Sequence, residues 1–381
     1  MIIKFSNIKN EINYPEIKNE FEILNLSNNK IILNSCYGKQ ILISSPSVFA
    51  NDFLELCNGY NKISYIKKII LEKFINVRET EINFFYNQLI NLNVIAEGLY
   101  NLRPSEINVD MFNRFKTEIT HFQHFEKDGL NAFDLFLKLR NSKVTIIGTG
   151  GNGSLAAMML AAAGVGHIKL IDGDTVDESN LVRQIFYTEN DAKKSVKKSY
   201  ALKKRIKKLS KYTEVEVSEK FVECSNDVRI QIKDSTCVIL CADAPRFVIN
   251  NWVNDACFDL NIPYINAFAG IVGPFTIPNK TACFNCLENK YRKHVGIYHD
   301  EIVKALQKNR TRQYPSFVTG PVLVAQLQVS EVVSYLTGIK SPKTINKFFR
   351  INEIGGENLE SILDLEFCTR CSHQITRREV C

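Results

Sequence analysis

Residues 144–174 read VTIIGTGGNGSLAAMMLAAAGVGHIKLIDGD. A short apolar run, Val144 to Ile147, feeds the glycine turn Gly148-Thr149-Gly150-Gly151-Asn152-Gly153, and an alanine-rich stretch follows. The pattern predicts strand 144–148, helix 153–163 and strand 167–172. Glycine lets the backbone turn tightly and approach a phosphate, whose charge is then held by the N–H groups that open the following helix. Asp172, about 20 residues further on and at the end of the next strand, stands where an acidic side chain takes ribose hydroxyls. The stretch therefore predicts a bound nucleotide. Alone it does not predict a reaction, because nicotinamide-dependent oxidoreductases carry the same turn.

Strand and helix go on alternating downstream. A basic helix within Lys193–Lys211 is followed by strand EVEVSEKF (214–221), strand TCVILCAD (236–243), helix FVINNWVNDACFDLN (247–261) and strand PYINAFAG (263–270). That order predicts an α/β fold, a Rossmann-like and mostly parallel sheet covered on both faces, with ligands at the carboxyl ends of its strands. Just past the second strand, LIDGDTVDESNLVRQ (170–184) supplies Asn180, Arg183 and Gln184, a guanidinium and amides able to grip a triphosphate. Asp243 leaves the end of a buried strand in VILCADAP, a position suited to Mg²⁺ bridging phosphates. Each of these could be a loop residue or helix cap by itself; together they converge on one strand-end crevice. A nicotinamide enzyme leaves the Arg183–Gln184 pair unexplained.

The second chemical signal is a double CxxC, Cys283-Phe284-Asn285-Cys286 with Cys368-Thr369-Arg370-Cys371. Four thiolates supply the closed tetrahedral coordination of structural Zn²⁺, which would tie the tail back to the strand region after GPFTIP. The 11 cysteines are odd in number, and the N-terminus MIIKFSNIKNEINY has no apolar secretory stretch, so reduced thiols and metal ligands are expected rather than disulfides. No run of 18 apolar residues occurs. The expectation is a cytoplasmic protein with no membrane partner.

With 381 residues, 45% apolar and 23% charged, the chain suits two or three globular domains. Its net charge of +7 rests heavily on Lys193–Lys211, where Leu202, Ile206 and Leu209 recur at helical spacing. This reads as the solvated face of an amphipathic helix, and no nucleic-acid partner is expected. Residues 1–105 lack glycine motifs. KIILNS and QILISS read as short strands, SVFANDFLELCNGY, ISYIKKIILEKF and RETEINFFYNQLINLNVIAEG as helices, the last running into a turn and an edge strand. Such a winged-helix-like module offers a groove where an extended peptide adds as a further strand; a dimerisation or packing domain is the other reading. A linker near LRPSEINVD leads to a helical stretch, MFNRFKTEITHFQHFEKDGLNAFDLFLKLRNSK, so the domains are placed at 1–105 and 111–381.

Taken together, the GxGGxG turn, LIDGDTVDESNLVRQ, the Ala242-Asp243 pair, the two CxxC pairs and GPVLVAQLQVSEVVSYLTG resemble the ThiF/MoeB superfamily of ubiquitin-activating-type adenylating enzymes over about residues 111–375. Within it, residues 247–286 look most similar to enzymes that modify ribosomally made antibiotic peptides of the microcin C and pantocin types. The resemblance implies ATP-dependent adenylation of a carboxylate, an N-terminal domain that binds the precursor peptide, and a homodimer. Carried over by motif, Gly148, Gly150, Gly151, Gly153, Asp172, Asp174, Asn180 and Gln184 would bind the nucleotide, while Arg183, Lys198 and Asp243 would act in catalysis, Asp243 through Mg²⁺.

Three departures stand out. The family lysine needs a short insertion after Gln184 to fall on Lys198, with Lys194 and Lys197 as the other possibilities. Thr117 aligns with an arginine that reaches the partner subunit's ATP, and Arg114 or Lys116 would have to substitute. No thioester cysteine precedes the C-terminal helix, which reads YPSFVTGPV; direct attack on the adenylate is implied. Activation of a sulfur-carrier or ubiquitin-like protein is the alternative function, and a non-catalytic scaffold presenting a leader peptide is a third.

Overall fold

A computed structural model describes residues 12–27, 29–35, 38–126, 130–268, 270–308, 316–352, 359–363 and 368–371. The chain divides into two compact units between His124 and Phe125.

The first unit opens with β1 (Pro15–Ile17) and an antiparallel sheet of β2 (Phe21–Leu26), β3 (Lys30–Ser35) and β4 (Gln40–Ile43), in the order β2-β3-β4. Strand β3 alternates as a half-buried strand should, with Ile31 and Leu33 turned into the core. Helices α1 (Ala50–Leu56), α2 (Ile63–Lys73) and α3 (Glu79–Asn91) follow, then β5 (Ile95–Glu97), α4 (Leu99–Leu102) and α5 (Val109–Phe122). Ile66 and Ile70 of α2, one turn apart, and Ile82 and Leu89 of α3 pack with Phe49 and Phe53. The expected edge strand after α3 is β5, and it pairs antiparallel with β1. Helix α5, beyond the linker near 105, belongs to this unit: Asn108 caps it by accepting from the Met111 N–H, and Lys116 pairs with Glu16 at 3.3 Å.

The second unit runs α6 (Ala132–Arg140), β6 (Lys143–Ile147), α7 (Gly151–Ala162), β7 (His167–Ile171), α8 (Glu189–Lys193), α9 (Lys198–Leu209), β8 (Glu214–Ser218), α10 (Ser225–Ile232), β9 (Cys237–Leu240), α11 (Val248–Leu260) and β10 (Tyr264–Phe268). It continues with β11 (Ile271–Thr276), α12 (Phe284–Val295), α13 (His299–Lys308), α14 (Thr319–Thr337), β12 (Lys347–Arg350) and β13 (Leu359–Ile362). The sheet order is β13-β12-β11-β10-β9-β6-β7-β8. From β8 to β10 all neighbours are parallel; from β10 to β13 they are antiparallel. This is the mixed α/β architecture with a mostly parallel central sheet that the strand–helix alternation predicts.

Strand β9 is buried at every position, as a central strand covered on both faces must be. Chain order reverses between β6 and β9, so the crevice beyond their carboxyl ends is the topological switch point where α/β sheets bind ligands. The glycine turn leaves β6 there and the Asp243 loop leaves β9 there. No helix among the described residues is long and apolar enough to cross a membrane.

Candidate functional site

Gly148 leaves β6 with φ +88°, and a Cβ on it would stand 2.6 Å from the Ala242 backbone nitrogen. Only glycine fits there. At Gly153 a Cβ would stand 1.9 Å from the Gly148 carbonyl oxygen, so the turn closes onto the first helical turn without room for a side chain. Gly150, the N-cap of α7, differs: it makes no side-chain cap, and a Cβ there would meet only Gln184 Nε2, at 3.6 Å. The space beside Gly150 is therefore uncrowded, at the positive end of the helix dipole where an anion is favoured.

Thr149 sets the plane of this turn from both sides. Its N–H and hydroxyl donate to Asp172 Oδ2 at 2.6 and 2.9 Å, and its carbonyl accepts from the Tyr187 hydroxyl at 2.6 Å. Burial pushes the Tyr187 hydroxyl well above the ordinary phenol range, so it stays a donor. Asp172 Oδ1 accepts from the Asp174 N–H at 2.9 Å. The carboxylate read as a ribose ligand thus also orders the glycine turn.

Beyond β7 the chain is folded by two capping boxes, Asp177 with Asn180 and Thr188 with Asp191. Asn180 is engaged in the first, accepting from the Asp177 N–H at 3.3 Å. Arg183 is half-buried, and its Nη1 donates to the Ser179 carbonyl at 3.2 Å. Gln184 is 3% exposed, and its Oε1 has no partner among the described residues. Both border the glycine turn: a Cβ on Gly151 would lie 3.5 Å from the Arg183 carbonyl.

Of the three lysines, Lys194 is exposed and Lys197 donates to the Gly173 carbonyl at 2.5 Å. Lys198, at the start of α9, is buried with its Nζ 3.0 Å from Asp174 Oδ2. Asp243 is exposed, and the N–H groups of Cys241 and Ala242 both donate to the Ile147 carbonyl, at 2.8 and 2.9 Å. These bonds hold the Asp243 loop against the glycine turn.

The structure adds two features that the sequence reading did not single out. Tyr187 is one; the other is a cavity of about 570 Å³ beside the Asp172 strand end, lined by Gly173, Lys197, Phe221, Val222, Asp227 and Gln231. Its size suits a small-molecule ligand. The Phe221 ring lies so close to Gly173 that a Cβ there would stand 2.6 Å from it. The strand-end rule that pointed to Asp172 would also have led to Phe221, just past β8.

Away from the crevice, Cys283, Cys286, Cys368 and Cys371 are all buried, with their sulfurs within 4.8 Å of one another. Three of the separations are 3.3, 3.6 and 3.9 Å. These are far beyond a disulfide bond and close to the edge of about 3.8 Å of a tetrahedron with Zn–S bonds of about 2.3 Å. Neighbouring sulfurs push Cys283 up because four packed thiols cannot all ionise without a cation among them. The cluster can hold a zinc ion with no open position.

The ThiF family model matches residues 116–372, two-thirds of the chain. The chain belongs to the ThiF family. As a ThiF-family chain it is 37% identical over 153 residues to the sulfur carrier protein ThiS adenylyltransferase of Bacillus subtilis, covering 39% of this chain and 45% of that one. With the enzyme of the same name from Escherichia coli it shares 31% identity over 217 residues, covering 55% of this chain and 78% of that one. The chain spans about half the length of most of the curated relatives it matches.

Among solved structures, E. coli MccB with MccA superposes with a TM-score of 0.63 at 23% identity, over 94% of this chain and 99% of that one. PaaA does so with a TM-score of 0.66 at 21% identity, over 91% and 100%. At these identities the likeness establishes the fold, and the fold is shared across nearly the whole chain.

Proposed function

We propose that this ThiF-family chain is an ATP-dependent adenylating enzyme that activates a carboxylate of a ribosomally made precursor peptide. The observation that carries the peptide reading is the extent of the likeness to MccB. It takes in 94% of this chain, and so much of the N-terminal unit, whereas the sulfur-carrier enzymes match 39% and 55%. On this reading the N-terminal unit binds the peptide and the second unit, as a homodimer, binds ATP.

The reaction is one of alignment and charge neutralisation. The first N–H groups of α7 and the side chains of Arg183, Asn180 and Gln184 take the phosphates, and Asp172 takes the ribose. A substrate carboxylate oxygen attacks the α-phosphorus and pyrophosphate leaves; a nucleophile then attacks the acyl carbon and AMP leaves, by microcin C-like or pantocin-like chemistry. Lys198, already held at the site by Asp174, supplies a second cation for the charge that develops at the α-phosphate. Asp243, exposed and without a hydrogen bond or ion pair among the described residues, would hold Mg²⁺, whose charge would offset that of the phosphates. Zinc in the cysteine cluster would be structural.

A second reading, adenylation of a sulfur-carrier protein, is favoured by the identity of up to 37% to those enzymes. ATP–pyrophosphate exchange separates the two. Stimulation by short peptides with free carboxylates supports the first; stimulation only by a small carrier protein ending in Gly-Gly reverses the choice.

A further inference from the structure

On the α11 side of the sheet, two buried carboxamides lack partners. Asn250, in the first turn of α11, is 1% exposed and Asn266, on β10, is 0% exposed. Neither the Nδ2 nor the Oδ1 of either has a hydrogen-bond partner among the described residues. Buried polar groups are almost always paired, so four such atoms on two neighbouring elements call for a partner.

Their neighbours one repeat away show what a satisfied layer looks like. Asn254, one helical turn along α11, accepts from the Tyr264 hydroxyl at 2.6 Å and donates to Asn285 at 3.1 Å. Tyr264 precedes Asn266 by two residues in β10 and shares its face. Helix α11 crosses over from β9 to the parallel β10, so it runs back along the sheet while β10 runs forward. Moving from the Asn254–Tyr264 layer towards the carboxyl ends of the strands therefore reaches Asn250 and Asn266 together. The steps match, about 6 Å for four helical residues and about 6.6 Å for two strand residues. Asn266 pairs in register with Leu240, the last residue of β9 before the loop that carries Asp243.

The unmet atoms define the ligand. An anion would need donors only and a cation acceptors only, whereas each carboxamide here presents both. The complement is a neutral group that itself donates and accepts. We propose that Asn250 and Asn266 bind the amide unit adjoining the carboxylate that is activated, and so select peptide acyl substrates. This rests on the adenylation reading. The loop 241–247, which joins β9 to α11 and whose Asp243 and Ala244 are exposed, would have to admit the substrate. A resident water has the same hydrogen-bonding chemistry, and the test separates the two sources.

The full-length protein is assayed by ATP–pyrophosphate exchange with pools of synthetic hexapeptides, and the best sequence is remade with its last amide replaced by an ester. The expected result is a loss of about tenfold or more in kcat/KM for the ester with the wild-type chain. That discrimination should disappear in Asn250→Leu and Asn266→Leu, whose ATP affinity by calorimetry matches wild type. Their melting temperatures should be unchanged or higher, since an apolar side chain relieves an unmet polar one.

Equal use of amide and ester by the wild-type chain overturns the proposal and leaves adenylation standing. So does a fall of several degrees in melting temperature, which would mean the carboxamides are already bonded within the fold, or a crystallographic water between them that bound peptide does not displace. Exchange with no peptide at all overturns the peptide reading itself.

Discussion

The Tyr187 hydroxyl donates to the Thr149 carbonyl across 2.6 Å while Asp172 takes the N–H of the same residue, so the two successive peptide units that meet at Thr149 are each fixed, one from either of the segments that flank the crevice. Tyr187 in turn follows Arg183 and Gln184, and its N–H donates to the Gln184 carbonyl at 3.1 Å. A side chain from the segment that follows Arg183 and Gln184 thus shapes the glycine turn.

Tyr187→Phe removes that bond and little else. A neutral hydrogen bond contributes about 1 kcal/mol net, so ATP affinity should weaken about fivefold. Calorimetric titration checks the affinity, and hydrogen exchange of residues 148–154 should quicken in the nucleotide-free variant. Unchanged affinity and exchange would show that the turn holds its shape without Tyr187.

The Arg183 side chain has one hydrogen bond among the described residues, to the Ser179 carbonyl. Arg183→Ala should therefore leave the melting temperature nearly unchanged and slow pyrophosphate exchange by about 10²–10³. Lys198→Ala should cause a comparable loss, and Lys194→Ala, at an exposed position, none. A Lys194→Ala defect equal to that of Lys198→Ala would move the second cation to the wrong lysine.

Two glycines separate folding from binding. Gly153→Ala places a methyl 1.9 Å from the Gly148 carbonyl oxygen and should cost about 1–3 kcal/mol in stability through forced movement of the turn. Gly150→Ala meets nothing closer than 3.6 Å, so stability should change by less than about 0.5 kcal/mol. Its methyl stands on the open side of the helix start, where it should weaken ATP binding. Thermal melts and titrations of the pair read the two effects apart.

For the cysteine cluster, elemental analysis should find one zinc per chain. Cys368→Ser should lower both metal content and melting temperature, and chelation of the wild type should loosen the segment around Cys283–Cys286. A metal-free protein with the same melting temperature and activity would remove zinc from the description.

Cysteine chemistry away from the cluster is also defined. Burial pushes the Cys237 and Cys241 thiols up to about 12, whereas Cys224 is exposed. Peptide-resolved alkylation at pH 8 should therefore modify Cys224 and spare Cys237 and Cys241, consistent with attack on the adenylate by something other than Cys241. Because the unfolded chain would release these protons near the ordinary thiol value of about 8.5, stability should fall as pH rises from about 9 towards 12. An alkaline melting series tests the sign.

Much of the parallel half was legible in the residues. The glycine turn, the apolar run of β9 and the alternation through PYINAFAG have a short-range cause, periodicity or backbone freedom, that one segment shows by itself. Strand β1 was not legible, because Pro15–Ile17 is three residues long and becomes a strand only by pairing with β5. Strands β12 and β13 likewise depend on antiparallel partners brought from afar. The candidate site followed the same division. Residues next to strand ends could be picked out one by one, while the Tyr187–Thr149 contact joins positions 38 residues apart and becomes visible only when the chain is folded.

The cysteine cluster carries a consequence for timing. Its sulfurs meet across 85 residues of chain, from Cys283 to Cys368. During synthesis the first CxxC leaves the ribosome long before the second, so the early pair must wait, reduced and half-assembled, while the chain for α14, β12 and β13 is made. Closing so long a loop costs only slightly more than closing a short one, because the entropy grows with the logarithm of length. Completion of this half of the molecule therefore waits on the second CxxC, whatever the state of the first.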